Sequence, residues 1–295
     1  MEEIVSIQSH VAYGYVGNRA AVFPLQRLGY DVTAINTVQF SNHTGYGRFT
    51  GEVFSPEHVA DVFDGMAELT GLRGVRALLT GYMGDQRSGD VMLDALARIR
   101  RARADALYCC DPVMGDTGRG FFVRAGIPEW MRERSVPAAD IVTPNQFELS
   151  WLAGREIATR TDALAAAADL RALGPRVVLM TSMAVEDTAA DRIAMLVDTA
   201  QGSWRVSTPR IDFVTAPNGA GDFTTAVFLA GCLADGLSED GPARALARTA
   251  AAVEILFAAT RDAGTRELAL IPAQDEITAA LRGPVPGAIQ IERLR

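Results

Sequence analysis

The 295-residue chain is 48% apolar and 22% charged, and its 28 basic and 36 acidic side chains give a formal charge of −8; that composition excludes general disorder and a general nucleic-acid binder. All 28 basic residues are Arg. Without Lys there is neither an amine for a Schiff-base cofactor enzyme nor a Walker A loop.

The opening MEEIVSIQSH is acidic and lacks the basic start and long apolar run of a signal peptide. Ile4 to Ile7 reads as a short buried strand. Asn18 to Leu28 reads as a helix with Ala20, Ala21, Phe23 and Leu28 inward, and Tyr30 to Val38 as a second strand. A polar, Gly-rich loop follows from Ser41 to Gly51. Ser55-Pro56-Glu57 opens a helix to about Leu69, with Ser as cap and Pro in its first turn. Val75 to Leu79 is a strand, Asp85 to Arg103 an amphipathic helix carrying Val91, Leu93, Leu96 and Ile99, and Ala106 to Cys110 a strand ending at Asp111-Pro112. Ile141-Val142 leads through Thr143-Pro144-Asn145 to a helix near Phe147 to Ala153. Asp162 to Leu173 is an Ala-rich helix closed by Gly174-Pro175, and Val177 to Met180 a β-branched strand. Ile193 to Val197 and Trp204 to Ser207 form an antiparallel pair around Gln201-Gly202. Helices follow at Gly221 to Leu233, Ala243 to Ala259 and Pro272 to Leu281.

This alternation predicts an α/β protein with a mostly parallel sheet covered on both faces and ligands at the C-terminal strand ends. No linker, repeat or low-complexity tract interrupts it, so one domain over 1–295 is expected, with a loosely ordered tail at 283–295 that holds Pro284 and Pro286. No run reaches ~18 uncharged apolar residues, so no membrane span is expected. Cys109, Cys110 and Cys232 form neither a disulfide framework nor a C-x2-C zinc site, which suits a reducing cytoplasm.

Four segments carry candidate chemistry. Pro217-Asn218-Gly219-Ala220-Gly221-Asp222-Phe223 sets two glycines before an apolar helix, where free N–H groups favour an anion. Asp222 beside phosphate is costly unless it takes a proton from an attacking hydroxyl; the plain alternative is a first-turn Asp favoured by the helix dipole. In Cys110-Asp111-Pro112-Val113-Met114-Gly115-Asp116, Asp111 and Asp116 can hold Mg2+ through oxygen or water, or Asp111 merely caps a turn. In Thr143-Pro144-Asn145-Gln146-Phe147-Glu148, Asn145 and Glu148 have capping-box spacing; alternatively Glu148 reaches Mg2+ and Asn145 lies near phosphate. Gln8-Ser9-His10 and Phe40 to Gly47 stand at two strand exits. Adjacent Ser9 and His10 diverge, so they make no nucleophile pair, and His10, His43 and His58 lack zinc-ligand spacing. Loop 41–51 suits either a mobile lid or a surface loop. Together these groups are the inventory of phosphoryl transfer: acceptor positioning, a metal–nucleotide site, charge neutralisation and a base.

Ser6-Ile7-Gln8-Ser9-His10, Gly14 to Ala21, Phe23-Pro24-Leu25-Gln26, Val38 to Tyr46, Thr80-Gly81-Tyr82, Cys110 to Asp116, Thr143 to Glu148 and Gly219 to Asp222 give the chain its family likeness. It resembles the pyridoxal kinases of the ribokinase superfamily, and the QSH and QFSNHTGY segments are more specific to them than the Gly-Ala-Gly-Asp motif. The resemblance implies a ribokinase-like three-layer α/β/α sandwich and 5′-phosphorylation of pyridoxal, pyridoxine or pyridoxamine by Mg-ATP, in vitamin B6 salvage. It implies Asp222 as general base, and Gly219, Ala220 and Gly221 as the anion hole. Ser9, Val16, Thr44 and Tyr82 would line the vitamin pocket. Asp111, Thr143, Asn145, Glu148, Thr181 and Ser182 would face nucleotide, Mg2+ or a monovalent cation such as K+, with Asp111, Asp116 and Glu148 at the metal. A cytosolic homodimer with small-molecule substrates, and with neither nucleic-acid nor membrane partners, is implied too. Thr181 stands where some bacterial relatives carry Lys, and Ala220 where many carry Thr; adenine contacts near Ser207 to Ile211 match least. Two alternatives stay open: a hydroxymethylpyrimidine kinase, and a non-catalytic pyridoxal-binding protein.

Overall fold

The computed structural model describes residues 2–186, 188–284 and 289–295. In chain order the elements are β1 (Glu3–Val11), α1 (Asn18–Arg27), β2 (Asp31–Phe40), β3 (Gly51–Val53), α2 (Pro56–Thr70), β4 (Val75–Thr80), α3 (Arg87–Ala102) and β5 (Leu107–Cys110). The short β6 (Gly115–Asp116), β7 (Gly120–Phe121), α4 (Ile127–Trp130) and α5 (Val136–Ala138) come next. Then follow β8 (Ile141–Val142), α6 (Gln146–Ala153), α7 (Arg160–Arg171), β9 (Val177–Met183), β10 (Arg192–Thr199), β11 (Gly202–Pro209), α8 (Ala220–Asp235), α9 (Gly241–Asp262), α10 (Gln274–Arg282) and β12 (Gln290–Arg293).

Among the described residues the main sheet has the order β12-β11-β10-β9-β8-β5-β4-β1-β2-β3. Its centre, β9-β8-β5-β4-β1-β2, is parallel throughout. Antiparallel strands extend it at both edges. Alternate strand residues serve opposite faces. Val5 and Ile7 of β1 pack with Val59 and Phe63 of α2, Met92 and Ile99 of α3 and Leu149 of α6. Ile4 turns the other way, to Leu25 of α1, Phe223 and Phe228 of α8, Leu246 of α9 and Ile277 of α10. The result is a three-layer α/β/α sandwich, the layering expected from the strand–helix alternation.

Local signals set most boundaries. The Ser55 side chain caps α2, accepting the His58 N–H, with Pro56 in the first turn. Other expectations shift. α3 buries Met92, Ala95, Leu96 and Ile99, while Val91 and Leu93 are only partly covered. α1 buries Leu25 more fully than Phe23 or Leu28. α7 begins at Arg160, because Thr159 is its cap and Asp162 the reciprocal partner, and it ends before Gly174. The tail expected to be loose carries β12, paired antiparallel with β11; Pro286 lies outside the described residues. No helix among the described residues is long and apolar enough to cross a membrane.

Candidate active site

The C-terminal ends of the parallel strands open on a cleft of about 860 Å³. All fifteen residues singled out from the sequence line it: Ser9, Val16, Thr44, Tyr82, Asp111, Asp116, Thr143, Asn145, Glu148, Thr181, Ser182, Gly219, Ala220, Gly221 and Asp222.

Ser9 is set by the exit of β1, where the pairing with β2 shifts register between Gln8 and Ser9. Beneath it the Gln8 side chain donates to Ser6 Oγ (2.9 Å), Ser6 to Asn18 Oδ1 (2.7 Å), and Asn18 Nδ2 to Asn36 Oδ1 (2.9 Å). These buried bonds tie β1 to α1 and β2. Gly17 comes so close that a Cβ there would lie 2.1 Å from the Ser9 carbonyl oxygen. Val11, Val16, Val38 and Phe40, with Val53 and Tyr82 against them, form a small apolar cluster beside Ser9. Thr37 Oγ1 donates to the Tyr82 carbonyl at 2.8 Å and fixes the turn after β4.

Gly219, at φ +87°, precedes α8, and no side chain caps that helix. The first N–H groups of α8 therefore have no intrahelical acceptor. A Cβ on Gly219 would stand 1.7 Å from the Tyr15 carbonyl oxygen, so the loop after β1 and the start of α8 meet backbone to backbone. Asp222 sits in the first turn of α8, half-buried at the cleft wall. Burial raises its pKa to about 6, against the N–H groups of Gly17 and of Asp222 itself, which favour the carboxylate.

Asp111 follows β5 and is 5% exposed. Thr225 Oγ1 is 3.3 Å from its Oδ2 and 2.7 Å from Thr143 Oγ1. Burial, then the neighbouring charges of Glu148 and Asp222, push the Asp111 pKa well above the usual carboxylate range. Glu148, at 3% exposed, does two things at once. It completes a capping box with Asn145, each side chain accepting the other's backbone N–H at 2.9 Å. Its Oε1 also accepts the Met114 N–H at 2.9 Å, while Asn145 Nδ2 donates to the Gly115 carbonyl at 2.8 Å. The start of α6 is thus stapled to the 111–116 loop. Burial lifts the Glu148 pKa to about 7 despite these donors.

Asp116 is exposed on the β6–β7 turn, its Oδ1 accepting the Thr117 N–H. Thr181 and Ser182 lie on β9, where Thr181 bridges to Asn145 and Ser182 holds the left-handed value φ +55°. Non-glycine residues in that region mark stored strain. Thr44 sits in a short turn, Thr44–Tyr46, inside the Gly-rich loop expected as a lid. The loop is fastened: Asn42 Nδ2 donates to the Arg48 carbonyl (2.9 Å), and Arg266 Nη2 to the Gly45 carbonyl (2.8 Å).

Among the described residues Asp111, Glu148 and Asp222 form no ion pair, and no group of three or more His, Cys, Asp or Glu is arranged to hold a metal directly. Mutually repelling carboxylates without a cationic partner, Asp111 and Glu148 buried and Asp222 half-buried, fit a hydrated divalent cation. Sequence reasoning missed Arg119 and Arg124, the cleft's Arg side chains, and also Met195, Val253, Glu254 and Phe257, which line it as well. A single helix position on α9 carries no motif. The weakly matching Ser207 to Ile211 stretch was the only pointer to them, and Thr208, Pro209 and Ile211 do line the cleft.

The phosphomethylpyrimidine kinase family model matches residues 26–258. Pyridoxal kinase PdxY of Rubrobacter xylanophilus is 53% identical over 285 residues, 96% of either chain. Pyridoxal kinase PdxY of Deinococcus radiodurans is 47% identical over 277 residues, 92% of either chain. Pyridoxal kinase from Leishmania donovani in complex with ADP and pyridoxine superposes with a TM-score of 0.87 at 30% identity, covering 99% of both chains.

Proposed function

Because this chain belongs to the pyridoxal kinase family, within the ribokinase-like kinases, we propose that it transfers the γ-phosphoryl group of ATP to the 5′-hydroxymethyl group of pyridoxal, and of pyridoxine and pyridoxamine, for vitamin B6 salvage. The observation that carries the site reading is the meeting of Asp222 with the uncapped start of α8 in one cleft with Ser9 and the apolar cluster.

The pyridine ring lies among Val16, Tyr82 and their apolar neighbours, with Ser9 at its polar edge and Thr44 over it. Asp222, ionised above about pH 6, takes the 5′-hydroxyl proton as that oxygen attacks the γ-phosphorus. The new O–P bond forms as the bond to the β–γ bridging oxygen breaks and ADP leaves. The N–H groups of Gly219, Ala220 and Gly221 receive the charge on the transferred group. Asp111, Thr143, Asn145, Thr181 and Ser182 flank the phosphates, and the adenine contacts fall to the Ser207 to Ile211 stretch, of which Thr208, Pro209 and Ile211 line the cleft. Asp111, Asp116 and Glu148 would hold Mg2+, which, with a monovalent cation such as K+, would supply positive charge to the phosphates. One kinase domain over 1–295, acting as a cytoplasmic homodimer, completes the reading.

The test is ADP production dependent on pyridoxal, with phosphorylated pyridoxal identified by mass. Folded protein that makes none with Mg-ATP overturns it. The phosphomethylpyrimidine kinase match favours one second reading, a hydroxymethylpyrimidine acceptor. Competition between the two rings at equal concentration separates them.

A further inference from the structure

The segment between α9 and α10 carries no recognisable motif, yet it contacts two loops that line the cleft through Val16 and Thr44. Leu268 and Leu270 are buried in the core, and the Ala269 N–H donates to Thr260 Oγ1 at 3.0 Å, so the segment is a fixed post. Glu267 projects from it with both carboxylate oxygens engaged. Oε1 accepts the Tyr46 hydroxyl of the Gly-rich loop at 2.5 Å. Oε2 accepts the Tyr15 N–H of the loop after β1 at 3.0 Å. Arg266 stacks over the Tyr46 ring at 4.1 Å and bonds the Gly45 carbonyl, which seats the same turn from the other side. Gly14 makes room for the carboxylate, since a Cβ there would fall 2.2 Å from Oε2.

The two loops differ in reach: the Gly-rich loop touches only the acceptor side, while the loop after β1 spans both sides, lending Val16 to the acceptor pocket and Tyr15 to the anion hole. Thr44, two residues from Tyr46, belongs to the acceptor side. Tyr15 bears on the phosphoryl side, because its carbonyl packs on Gly219, and Val16 and Gly17 follow it to Ser9 and Asp222.

Resting on the pyridoxal kinase reading, we propose that Glu267 is a positioning residue: its carboxylate couples seating of the acceptor loop at Tyr46 to the placement of Tyr15 against the Gly219 anion hole. With the coupling intact, the anion hole is in register when the vitamin hydroxyl is in place and water is kept out. With it lost, the loops sit independently and water can take the phosphoryl group, giving ADP and inorganic phosphate.

The test is steady-state kinetics with pyridoxal and Mg-ATP, counting ADP and phosphorylated pyridoxal separately, on wild type, Glu267→Gln, Tyr46→Phe and the double variant. Glu267→Gln should raise KM for pyridoxal and lower kcat, each by about tenfold, with ADP in excess over phosphorylated pyridoxal. Tyr46→Phe should raise KM for pyridoxal by about threefold. The double variant should be no worse than Glu267→Gln alone, because the two act through one bond. A merely structural role lowers the active fraction and leaves KM and the product ratio at wild-type values. That result overturns the proposal, as do parameters within twofold of wild type or single effects that multiply. Should Glu267→Gln not fold, Tyr46→Phe decides: unchanged KM with one ADP per phosphorylated vitamin overturns the coupling. A wild-type protein that phosphorylates no pyridoxal overturns the underlying reading, and the coupling falls with it.

Discussion

Asp222 is held at a pKa of about 6 by the loss of water around it. In the proposed role of base, a carboxylate with that value is mostly ionised at pH 7 yet basic enough to share a proton in the transition state. The dependence of kcat/KM on pH should therefore climb about tenfold per unit below pH 6 and level off above it. Asp222→Asn should lose about 10²- to 10⁴-fold in kcat. Its effect on stability has a definite sign. The folded pKa lies above the ordinary carboxylate value of 3.8, so the proton is bound more tightly in the folded state. The wild type holds that advantage below about pH 4 and loses it as pH rises through about 6. The amide variant does not titrate and carries no such loss, so the Tm difference between Asp222→Asn and wild type should move in favour of the variant across that window. A flat difference would refute the burial argument. The place of Asp222 at the cleft was legible in the sequence because the Gly-Ala-Gly-Asp run is a local signal at a helix start. Glu267 was not, because its partners Tyr46 and Tyr15 lie 221 and 252 residues away along the chain.

At the scale of elements, the start of α8 and the loop after β1 are packed as one unit. Gly219→Ala asks for a side chain both at φ +87° and against the Tyr15 carbonyl. We expect it to cost about 2 kcal/mol or more in stability by denaturant unfolding and to abolish most turnover in the fraction that folds. Glu148→Ala leaves the N–H groups of Met114 and Asn145 without their acceptor and unfastens α6 from the 111–116 loop. A loss of about 1–3 kcal/mol should appear in the same measurement. The helices and central strands were legible because cap residues and apolar periodicity are local. Of the two readings of the Asn145–Glu148 spacing, the capping box is present, and the same side chain also ties α6 to the 111–116 loop through its second oxygen, a contact no local spacing announces. The β6–β7 pair, two residues on each strand, leaves no periodic signal. β12 was hidden because it is a strand only by pairing with β11, and its own side chains are exposed.

At the scale of the molecule, the sheet is a parallel centre that carries the cleft and an antiparallel extension that steadies it. The extension is anchored by Asp198, fully buried on β10, which accepts from Arg171 Nε at 3.0 Å and from Arg295 Nη2 at 2.5 Å. Arg295 also donates to Ser203 Oγ at 2.7 Å. Arg295→Ala removes one of two cations from a buried carboxylate and loosens β12, so it should lower stability by about 2–4 kcal/mol while kcat per folded molecule is kept. The layered architecture was legible because strand–helix alternation at this spacing admits few arrangements; the identity of this anchor was not, since it depends on long-range pairing. The cleft itself has one further consequence. Its wall offers guanidinium groups at Arg119 and Arg124 and no primary amine. An aldehyde that enters as acceptor, or departs bearing its new phosphate, meets nothing there with which to condense. Such an enzyme cannot be fouled by carbinolamine adducts at its own side chains, however much product accumulates. Borohydride treatment after prolonged exposure to pyridoxal 5′-phosphate should mark the α-amino group and leave every tryptic peptide from the interior of the chain at its unmodified mass.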